Sequence, residues 1–223
     1  MSDQTVRARQ ETRDRLLEAA LKHVIFDGWG LVALSAGAAD IGMTAGQIHA
    51  VFISPERDLV SHFSDWADRR MLLALSELDL PSMKVRARIT GAVRARLEAL
   101  TGNEEAVRRA AGKLALPGHT GLALRDGYRT VDAIWRVAGD KATDFNFYTK
   151  RGLLAAVLVS TTLFWLDDTS DRHEATWAFL DRRIEGIMRI PKLQSAMRSK
   201  VKQIAEKALG LGMNIPAVLP TNR

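Results

Sequence analysis

The chain has 223 residues, of which 47% are hydrophobic and 26% are charged, so it can bury a sizeable core as one domain or as a small domain joined to a larger one. It contains no cysteine, which excludes disulfides, thiolate catalysis and cysteine-ligated zinc and is typical of a cytoplasmic protein. The net charge of +6 favours an acidic partner, either nucleic acid or an anionic membrane surface, although the basic residues are scattered and a solvated basic surface is an equal alternative.

Hydrophobic residues recur at helical spacing along most of the chain, and alternating strand patterns are absent, so the sequence predicts an all-α fold. In chain order, the predicted helices cover residues 6–26, 32–41, 44–52, 55–80, 82–100, 104–115, 122–139, 145–167 and 173–190. Thr44 is a candidate N-cap of the third helix, and Ser54 and Pro55 are expected to cap and begin the fourth. The N-terminus lacks the apolar core of a secretory signal, so export by that route is not expected.

The second and third predicted helices have the form of a helix-turn-helix unit, with the long first helix packed behind them. The turn contains Gly42, Met43 and Thr44. Ile48 is the expected buried anchor, and Phe52 closes the second helix of the unit. This segment resembles the N-terminal domain of TetR-type regulators.

The corresponding recognition helix is poorly suited to DNA. Residues 45–53 contain no lysine or arginine, although the neutralisation of phosphates supplies most of the binding energy in such interfaces. Only Thr44, Gln47 and His49 could reach base edges. Gly46 weakens the helix by about 1 kcal/mol relative to alanine. We therefore interpret the unit as a structural remnant and do not expect sequence-specific DNA binding.

The sequence offers no recognisable catalytic or metal site. Its five histidines show no paired i, i+4 spacing, and no Glu-x-x-His element is present to build a carboxylate-bridged metal site. Nucleophile-elbow, dinucleotide-binding and phosphate-cradling motifs are also absent. We therefore expect a non-enzymatic protein with no catalytic residue, no metal and no cofactor.

The most apolar segment lies in the helix predicted at residues 145–167. Residues 152–166 contain no charged side chain, although lysine and arginine precede them and two aspartates follow. A helix that is apolar on all sides must be enclosed by protein, by lipid or by an apolar ligand. The segment is shorter than the roughly 20 residues that span a bilayer as a helix, so no membrane span is expected.

Four segments carry a more specific resemblance, at residues 26–29 (FDGW), 130–135 (TVDAIW), 144–151 (DFNFYTKR) and 176–184 (TWAFLDRRI). They resemble hallmark segments of the ubiquinone (coenzyme Q) biosynthesis accessory family, whose members have a TetR-like fold, and the resemblance extends over residues 16–190. It implies a non-enzymatic protein that binds prenylated quinone intermediates or another isoprenoid lipid. It also implies delivery of the lipid to demethoxyubiquinone hydroxylase at a membrane surface.

An isoprenoid tail needs a dry, apolar lumen, because an unpaired polar group in its wall costs on the order of 1–3 kcal/mol. The residues expected to line the lumen are Trp135, Leu154, Val157, Leu158, Leu163, Trp165, Trp177, Leu180 and Ile184. Core packing, or a homodimer interface formed by the last two helices as in other TetR-like proteins, is the alternative for each of these residues.

The resemblance places the hydroxylase-facing surface around the start of the helix predicted at residues 145–167, on Asp144, Phe147, Tyr148 and Arg151. Aromatic residues beside an arginine are typical anchors of protein interfaces. Phe147 stands where tryptophan is common in the family, so an indole N–H donor is lost there. The alternative is that Phe147 and Tyr148 seal the start of the helix.

The C-terminal tail resembles the amphipathic membrane helix of the same family. The expected membrane-facing residues and their flanking cations are Leu193, Met197, Lys200, Val201, Ile204 and Lys207. Apolar insertion, together with about 1 kcal/mol for each cation near anionic lipid, would suit reversible binding. Packing on its own bundle or on a second subunit is the alternative.

These features predict three units: a helix-turn-helix-like unit at residues 1–54, a helical lipid-binding and dimerisation bundle at 55–190, and an amphipathic tail at 191–223. We expect a cytoplasmic homodimer that binds the membrane peripherally. A ligand-responsive transcription regulator of the TetR type is the alternative function.

Overall fold

The computed structural model describes the backbone of residues 3–139 and 145–188, and the side chains of residues 4–139 and 149–188. All regular structure in these residues is helical, which confirms the all-α prediction. The helices are α1 (Asp3–Asp27), α2 (Leu31–Asp40), α3 (Ala45–Val51), α4 (Pro55–Ser76), α5 (Val85–Glu98), α6 (Glu104–Leu114), α7 (Thr120–Val137), α8 (Phe145–Leu166) and α9 (174–188). Short 3-10 turns lie in the connections after α4, α6 and α8, at Leu80–Ser82, Pro117–His119 and Asp171–His173.

The start of α3 is fixed by a capping box. Gln47 N donates a hydrogen bond to Thr44 Oγ1 at 3.4 Å, and Thr44 N donates one to Gln47 Oε1 at 2.8 Å. Each side chain thus satisfies a backbone N–H group that the first turn of the helix leaves without a partner. The predicted N-cap role of Thr44 is confirmed.

The start of α4 differs from the prediction. Pro55 occupies the first turn as expected, but the Ser54 hydroxyl makes no capping hydrogen bond. Instead, Ser54 N donates to Asp58 Oδ2 at 2.9 Å. Ser54 therefore stands at the predicted N-cap position, but capping by its hydroxyl was wrongly predicted, because the Asp58 carboxylate reaches back to the helix start, where negative charge is also favoured.

The helices α1 and α2 cross in close contact. A Cβ atom on Gly37 of α2 would lie 2.6 Å from the backbone nitrogen of Ala20 on α1 and 2.7 Å from its Cα atom. Glycine permits this approach because it has no Cβ. The chain then bends by 119° between α2 and α3, within the range typical of a helix-turn-helix unit.

The charge-free segment of the sequence lies within α8. The buried residues on its inner face are Leu154, Val157, Leu158, Thr161 and Trp165. The exposed residues on its outer face include Gly152, Ala156, Val159 and Leu163. Protein therefore encloses one side of this segment. Among the described helices, none is long and apolar enough to span a bilayer alone, and α2 and α3 meet that description only together, as a bent pair.

Trp29 joins the N-terminal helices to the rest of the bundle. Its indole Nε1 donates to the Ala106 carbonyl on α6 at 3.1 Å, and Lys113 Nζ donates to the Trp29 carbonyl at 2.5 Å. The centre of its ring lies 4.9 Å from that of Phe63 on α4. Buried hydrophobic residues from α1 to α9 form one continuous core around these contacts. The division of the chain at residue 54 stays a prediction.

Candidate functional site

A cavity of about 350 Å³ lies between helices α4, α5, α6, α7 and α8. Most of its wall is hydrophobic and includes Leu100, Val107, Leu114, Leu158, Val159 and Leu163. Sites for small organic ligands usually enclose about 300–1,000 Å³. The cavity therefore has the size and the surface of a small ligand site.

One face of α7 carries a seam of four large side chains, spaced by four, three and four residues: Leu124, Tyr128, Val131 and Trp135. In the second half of this seam, Val131 and Trp135 are buried, and Lys150 Nζ on α8 lies 5.5 Å from the centre of the Trp135 ring. In the first half, Leu124 and Tyr128 are exposed. Helix α8 therefore covers the C-terminal half of the seam and leaves the N-terminal half open.

The cavity opens to solvent beside the uncovered half of the seam. Ala123 and Gly127 line it from α7, and Val159 and Leu163 line it from α8. Val159 and Leu163 are each more than half exposed, so apolar side chains form the mouth of the cavity. An apolar chain that enters here contacts hydrophobic surface both inside and outside the cavity.

The inner end of the cavity carries hydrogen-bonding groups. Arg96 Nε donates to Asp68 Oδ1 at 2.8 Å, and Arg96 Nη2 donates to Ser64 Oγ at 3.1 Å. Thr130 Oγ1 donates to the Asp68 carboxylate at 2.9 Å. Three of these four residues line the cavity: Ser64, Arg96 and Thr130. Because Asp68 is buried, its hydrogen bonds act in a low dielectric and hold Arg96 in place.

Three guanidinium groups surround two carboxylates beside this part of the wall, and among the three only Arg96 lines the cavity. Arg129 Nε donates to Asp68 Oδ2 at 3.3 Å. Asp126 Oδ1 accepts from Arg125 Nε at 3.1 Å and from Arg129 Nη1 at 3.3 Å. Arg129 Nη2 is buried and has no hydrogen-bond partner among the described residues. The local charge, with Arg96 as the third cation, is positive and favours a ligand oxygen that accepts hydrogen bonds.

The cavity has the chemistry of a binding site for an amphipathic molecule. Its wall and mouth are apolar, and its hydrogen-bonding groups are gathered at one end. Few, well-placed polar groups in an apolar pocket fix the orientation of a ligand. Among the side chains of residues 4–139 and 149–188, no group of three or more histidines, aspartates and glutamates is placed to hold a metal ion.

Two of the nine residues predicted to contact lipid, Leu158 and Leu163, line the cavity. Trp177 on α9 is half-buried beneath Arg94, whose guanidinium carbon lies 4.8 Å from the centre of a Trp177 ring. The other six are buried in the core and do not line the cavity: Trp135, Leu154, Val157, Trp165, Leu180 and Ile184. Core packing accounts for their burial, and their contact with lipid stays a prediction.

Arg151 lies inside the contact between α7 and α8, rather than on the docking surface expected from the sequence. It is 5% exposed, and its Nε and Nη2 donate to Asp132 Oδ1 at 3.0 and 2.7 Å. These charge-assisted hydrogen bonds fix α8 against α7. The structure does not describe the other predicted docking residues, which are Asp144 and the side chains of Phe147 and Tyr148. The predicted membrane-binding residues also lie outside the described residues: Leu193, Met197, Lys200, Val201, Ile204 and Lys207.

The contributions of α4, α5 and α6 to the cavity were not predicted from the sequence. The spacing of hydrophobic residues in these helices is the spacing of an ordinary packed core. Only the packing of the helices against each other brings Phe63, Leu100 and Val107 around the cavity. One signal was available in the sequence. The hydrophobic seam of α7 continues through Leu124 and Tyr128, which indicates a second apolar contact beside the first half of the helix.

In the helix-turn-helix unit, the capping box occupies two of the three side chains expected to reach DNA bases. Gln47 Oε1 accepts from both Thr44 N and Thr44 Oγ1, at 2.8 and 3.2 Å. Ile48 is buried as expected, and His49 is exposed. The exposed surface of α3 therefore offers His49, the side-chain nitrogen of Gln47 and, from its sequence, no lysine or arginine to contact phosphates.

The COQ9 family profile matches residues 120–191 of the chain, which include α7, α8 and α9. The chain is similar to the Homo sapiens protein named Ubiquinone biosynthesis protein COQ9, mitochondrial, with 28% identity over 97% of the chain and 70% of the relative. It is also similar to the Drosophila melanogaster protein of the same name, with 31% identity over 91% of the chain and 66% of the relative.

The fold is similar to that in the crystal structure of the TetR transcriptional regulator from Nitrosomonas europaea ATCC 19718. The two chains superimpose with a TM-score of 0.64 and 24% identity, over 78% of this chain and 95% of that one. This likeness confirms the TetR-like fold.

Proposed function

Because the chain belongs to the COQ9 family of ubiquinone biosynthesis proteins, we propose that it serves that pathway as a non-enzymatic lipid-binding protein. In this proposal it binds a prenylated quinone precursor in the cavity and presents it to demethoxyubiquinone hydroxylase at a membrane surface. The cavity is the observation that carries the proposal, because its apolar mouth and polar inner end suit an amphipathic ligand.

Burial of the isoprenoid chain supplies most of the affinity in this proposal. Each methylene group moved from water into apolar surroundings contributes about 0.8 kcal/mol. Leu100, Val107 and Leu114 provide such surroundings inside the cavity. Burial of about ten such groups corresponds to micromolar affinity before the cost of ordering the ligand is subtracted.

The contacts with the hydroxylase and the membrane are proposed from the sequence. The predicted hydroxylase residues Asp144, Phe147 and Tyr148 adjoin the start of α8, and the predicted membrane stripe follows α9. The rings of Phe164 and Phe179 stack with centres 4.6 Å apart, so α9 folds back along α8. The start of α8 and the end of α9 therefore lie at the same end of this helix pair, where we propose both contacts.

A homodimer is the remaining part of the proposal. Gly152 and Ala156 are small residues one turn apart on the exposed face of α8, so a second helix can approach them closely. The human and Drosophila melanogaster relatives are mitochondrial by name, and the cytoplasmic location of this chain stays a prediction.

The lipid that accompanies the protein provides the direct test. The full chain is purified without detergent from cells that make ubiquinone, and its organic extract is analysed by mass spectrometry. We expect an isoprenoid quinone or quinone precursor in amounts comparable to the protein. Repeated absence of any isoprenoid quinone, together with no binding on reconstitution, would overturn the proposal.

The alternative of a TetR-type regulator is supported by the fold alone. The α3 helix contains no lysine or arginine, and the Gln47 side-chain oxygen is held in the capping box. Salt-sensitive binding to a palindromic DNA site, lost in a Gln47→Ala, His49→Ala double variant, would restore this alternative.

A further inference from the structure

The polar groups of the cavity wall are more deeply buried than the apolar residues at its mouth. Thr130 and Asp126 are buried, and the Arg96 side chain is 11% exposed. Val159 and Leu163 at the mouth are each more than half exposed. The hydrogen-bonding groups of the cavity wall are therefore more buried than the apolar residues Val159 and Leu163 at its mouth.

The Ser64 hydroxyl is able to donate a hydrogen bond to a ligand. Its Oγ accepts from Arg96 Nη2 at 3.1 Å, and its O–H has no acceptor among the described residues. Arg96 is held in place because its Nε donates to the buried Asp68 carboxylate at 2.8 Å. Ser64 and Arg96 therefore form a fixed pair of donors beside the cavity, suited to one ligand oxygen.

The volume of the cavity limits how much of a lipid it can hold. At about 350 Å³ it is near the lower end of the range for small organic ligands. A substituted ring and the first part of a chain fill such a space, and a long isoprenoid chain must leave it. The exit runs past Val159 and Leu163 toward the exposed half of the seam at Leu124 and Tyr128, so the departing chain stays on apolar surface.

We infer that the ligand binds head first: a ring carbonyl accepts hydrogen bonds from Ser64 and Arg96, and the isoprenoid chain leaves between α7 and α8. This inference rests on the proposed lipid-binding function and adds the orientation of the ligand to it. It also identifies the groups that distinguish a quinone from an isoprenoid without a ring. Because the distal chain lies outside the cavity, chain length beyond the first isoprene units has little effect on affinity.

Ser64→Ala tests the donor pair with little risk to the fold, because alanine favours the helix and the hydroxyl donates to no described residue. Thr162→Val is the matched control. It removes another hydroxyl of the cavity wall, one that already donates to the Leu158 carbonyl of its own helix at 2.8 Å. The probes are a ubiquinone with a short isoprenoid chain and squalene, an isoprenoid hydrocarbon without a ring, each measured by equilibrium dialysis against the full chain.

Ser64→Ala should weaken ubiquinone binding about five- to tenfold, as expected for one lost hydrogen bond, and leave squalene binding unchanged. Thr162→Val should leave the binding of both probes unchanged. Arg96→Lys is a second variant, which keeps a positive charge beside Asp68 but loses the planar group that reaches both Asp68 and Ser64. It should show the same selective loss of ubiquinone binding.

Two results would overturn the head-first orientation while leaving lipid binding intact. One is equal affinity of the wild-type chain for ubiquinone and squalene. The other is a Ser64→Ala variant that binds ubiquinone as tightly as the wild type does, or whose affinities for ubiquinone and squalene fall by the same factor. Binding of neither probe by the wild-type chain would overturn the proposed function itself.

Discussion

Tyr128 and Trp135 lie seven residues apart on one face of α7, and they are 48% and 4% exposed, respectively. Seven residues return a side chain to nearly the same direction on a helix, so both residues face the side on which α8 packs. Helix α8 covers Trp135, where Lys150 lies over the ring, and leaves Tyr128 uncovered. The cavity is lined on this half of α7 by Ala123 and Gly127, and its mouth is apolar because Val159 and Leu163 of α8 form it.

Gly127→Leu should fill the cavity without harming the fold. Gly127 lines the cavity, and a Cβ atom added there meets nothing within 4 Å. Leucine also favours a helix over glycine by up to about 1 kcal/mol. We therefore expect an unchanged or higher melting temperature and a loss of ubiquinone affinity of about tenfold in equilibrium dialysis.

Gly121→Leu is the matched control for this prediction. It makes the same substitution on the same helix, at an exposed position that also has open space and does not line the cavity. Its affinity for ubiquinone should equal that of the wild type. Equal losses in both variants would show that binding depends on the general properties of α7 rather than on the cavity.

Gly37→Ala should destabilise the crossing of α1 and α2. The added Cβ would lie 2.6 Å from Ala20 N, and backbone atoms cannot rotate aside as a side chain can. Overpacking of this kind costs about 1–3 kcal/mol, and each kcal/mol lowers the melting temperature of a chain of this size by roughly 2–4 °C. Gly46→Ala is the control for differential scanning fluorimetry, because the nearest atom to its Cβ is Thr44 Oγ1 at 4.0 Å. That control should be neutral or stabilising, and a neutral Gly37→Ala would contradict the proposed clash.

The helices and the TetR-like architecture could be predicted from the sequence, because they depend on local spacing and on capping residues such as Thr44. The cavity could not, because Phe63, Arg96 and Leu158 come from three helices, and the same spacing of hydrophobic residues serves a packed core and a cavity wall. Arg151 was placed on the surface for a similar reason. Its pairing with Asp132 depends on how α8 packs against α7, and the local spacing of residues in the sequence does not predict that packing.

His62 on α4 should make the fold sensitive to acid. Its side chain is buried, with Arg13, Asp14 and Arg69 as its charged neighbours. Burial, and then the charge of Arg13, lowers the pKa of His62 from 6.5 to about 4, although Asp14 Oδ1 lies 2.8 Å from its Nε2. The folded chain therefore holds His62 neutral at a pH where the unfolded chain has already bound a proton.

The contribution of neutral His62 to stability is fully present above pH 6.5 and is lost as the pH falls toward 4. We expect the free energy of unfolding in urea to be lower at pH 5.0 than at pH 7.5 by about 1–2 kcal/mol from this group. His62→Gln cannot titrate and should lose this part of the pH dependence, whereas an identical dependence in both chains would contradict the assignment. Burial raises the pKa of Asp14, but hydrogen bonds from Arg69 outweigh it and hold that pKa below 3.8, outside this pH window.

Asp168 fixes the turn between α8 and α9. Its Oδ2 accepts from Thr176 N at 2.9 Å and from Thr176 Oγ1 at 2.6 Å, and its Oδ1 accepts from Ser170 N at 2.9 Å. Burial raises the pKa of Asp168, but the hydrogen bonds from Ser170 and Thr176 outweigh burial and hold that pKa well below its ordinary value. The carboxylate is therefore charged at neutral pH beside the first turn of α9, where it satisfies an N–H group and is favoured by the helix dipole.

Asp168→Asn should lower the free energy of unfolding by about 1 kcal/mol, because the amide keeps one accepting oxygen and replaces the other with a donor. Asp167→Asn is the control from the neighbouring position. Its exposed carboxylate pairs with Arg108 at 3.1 Å, and exposed ion pairs contribute only about 0–1 kcal/mol. Urea unfolding at pH 7.5 compares the two variants. A larger loss in Asp167→Asn than in Asp168→Asn would assign the stability of this turn to the surface ion pair instead of the hydrogen bonds that Thr176 donates to Asp168.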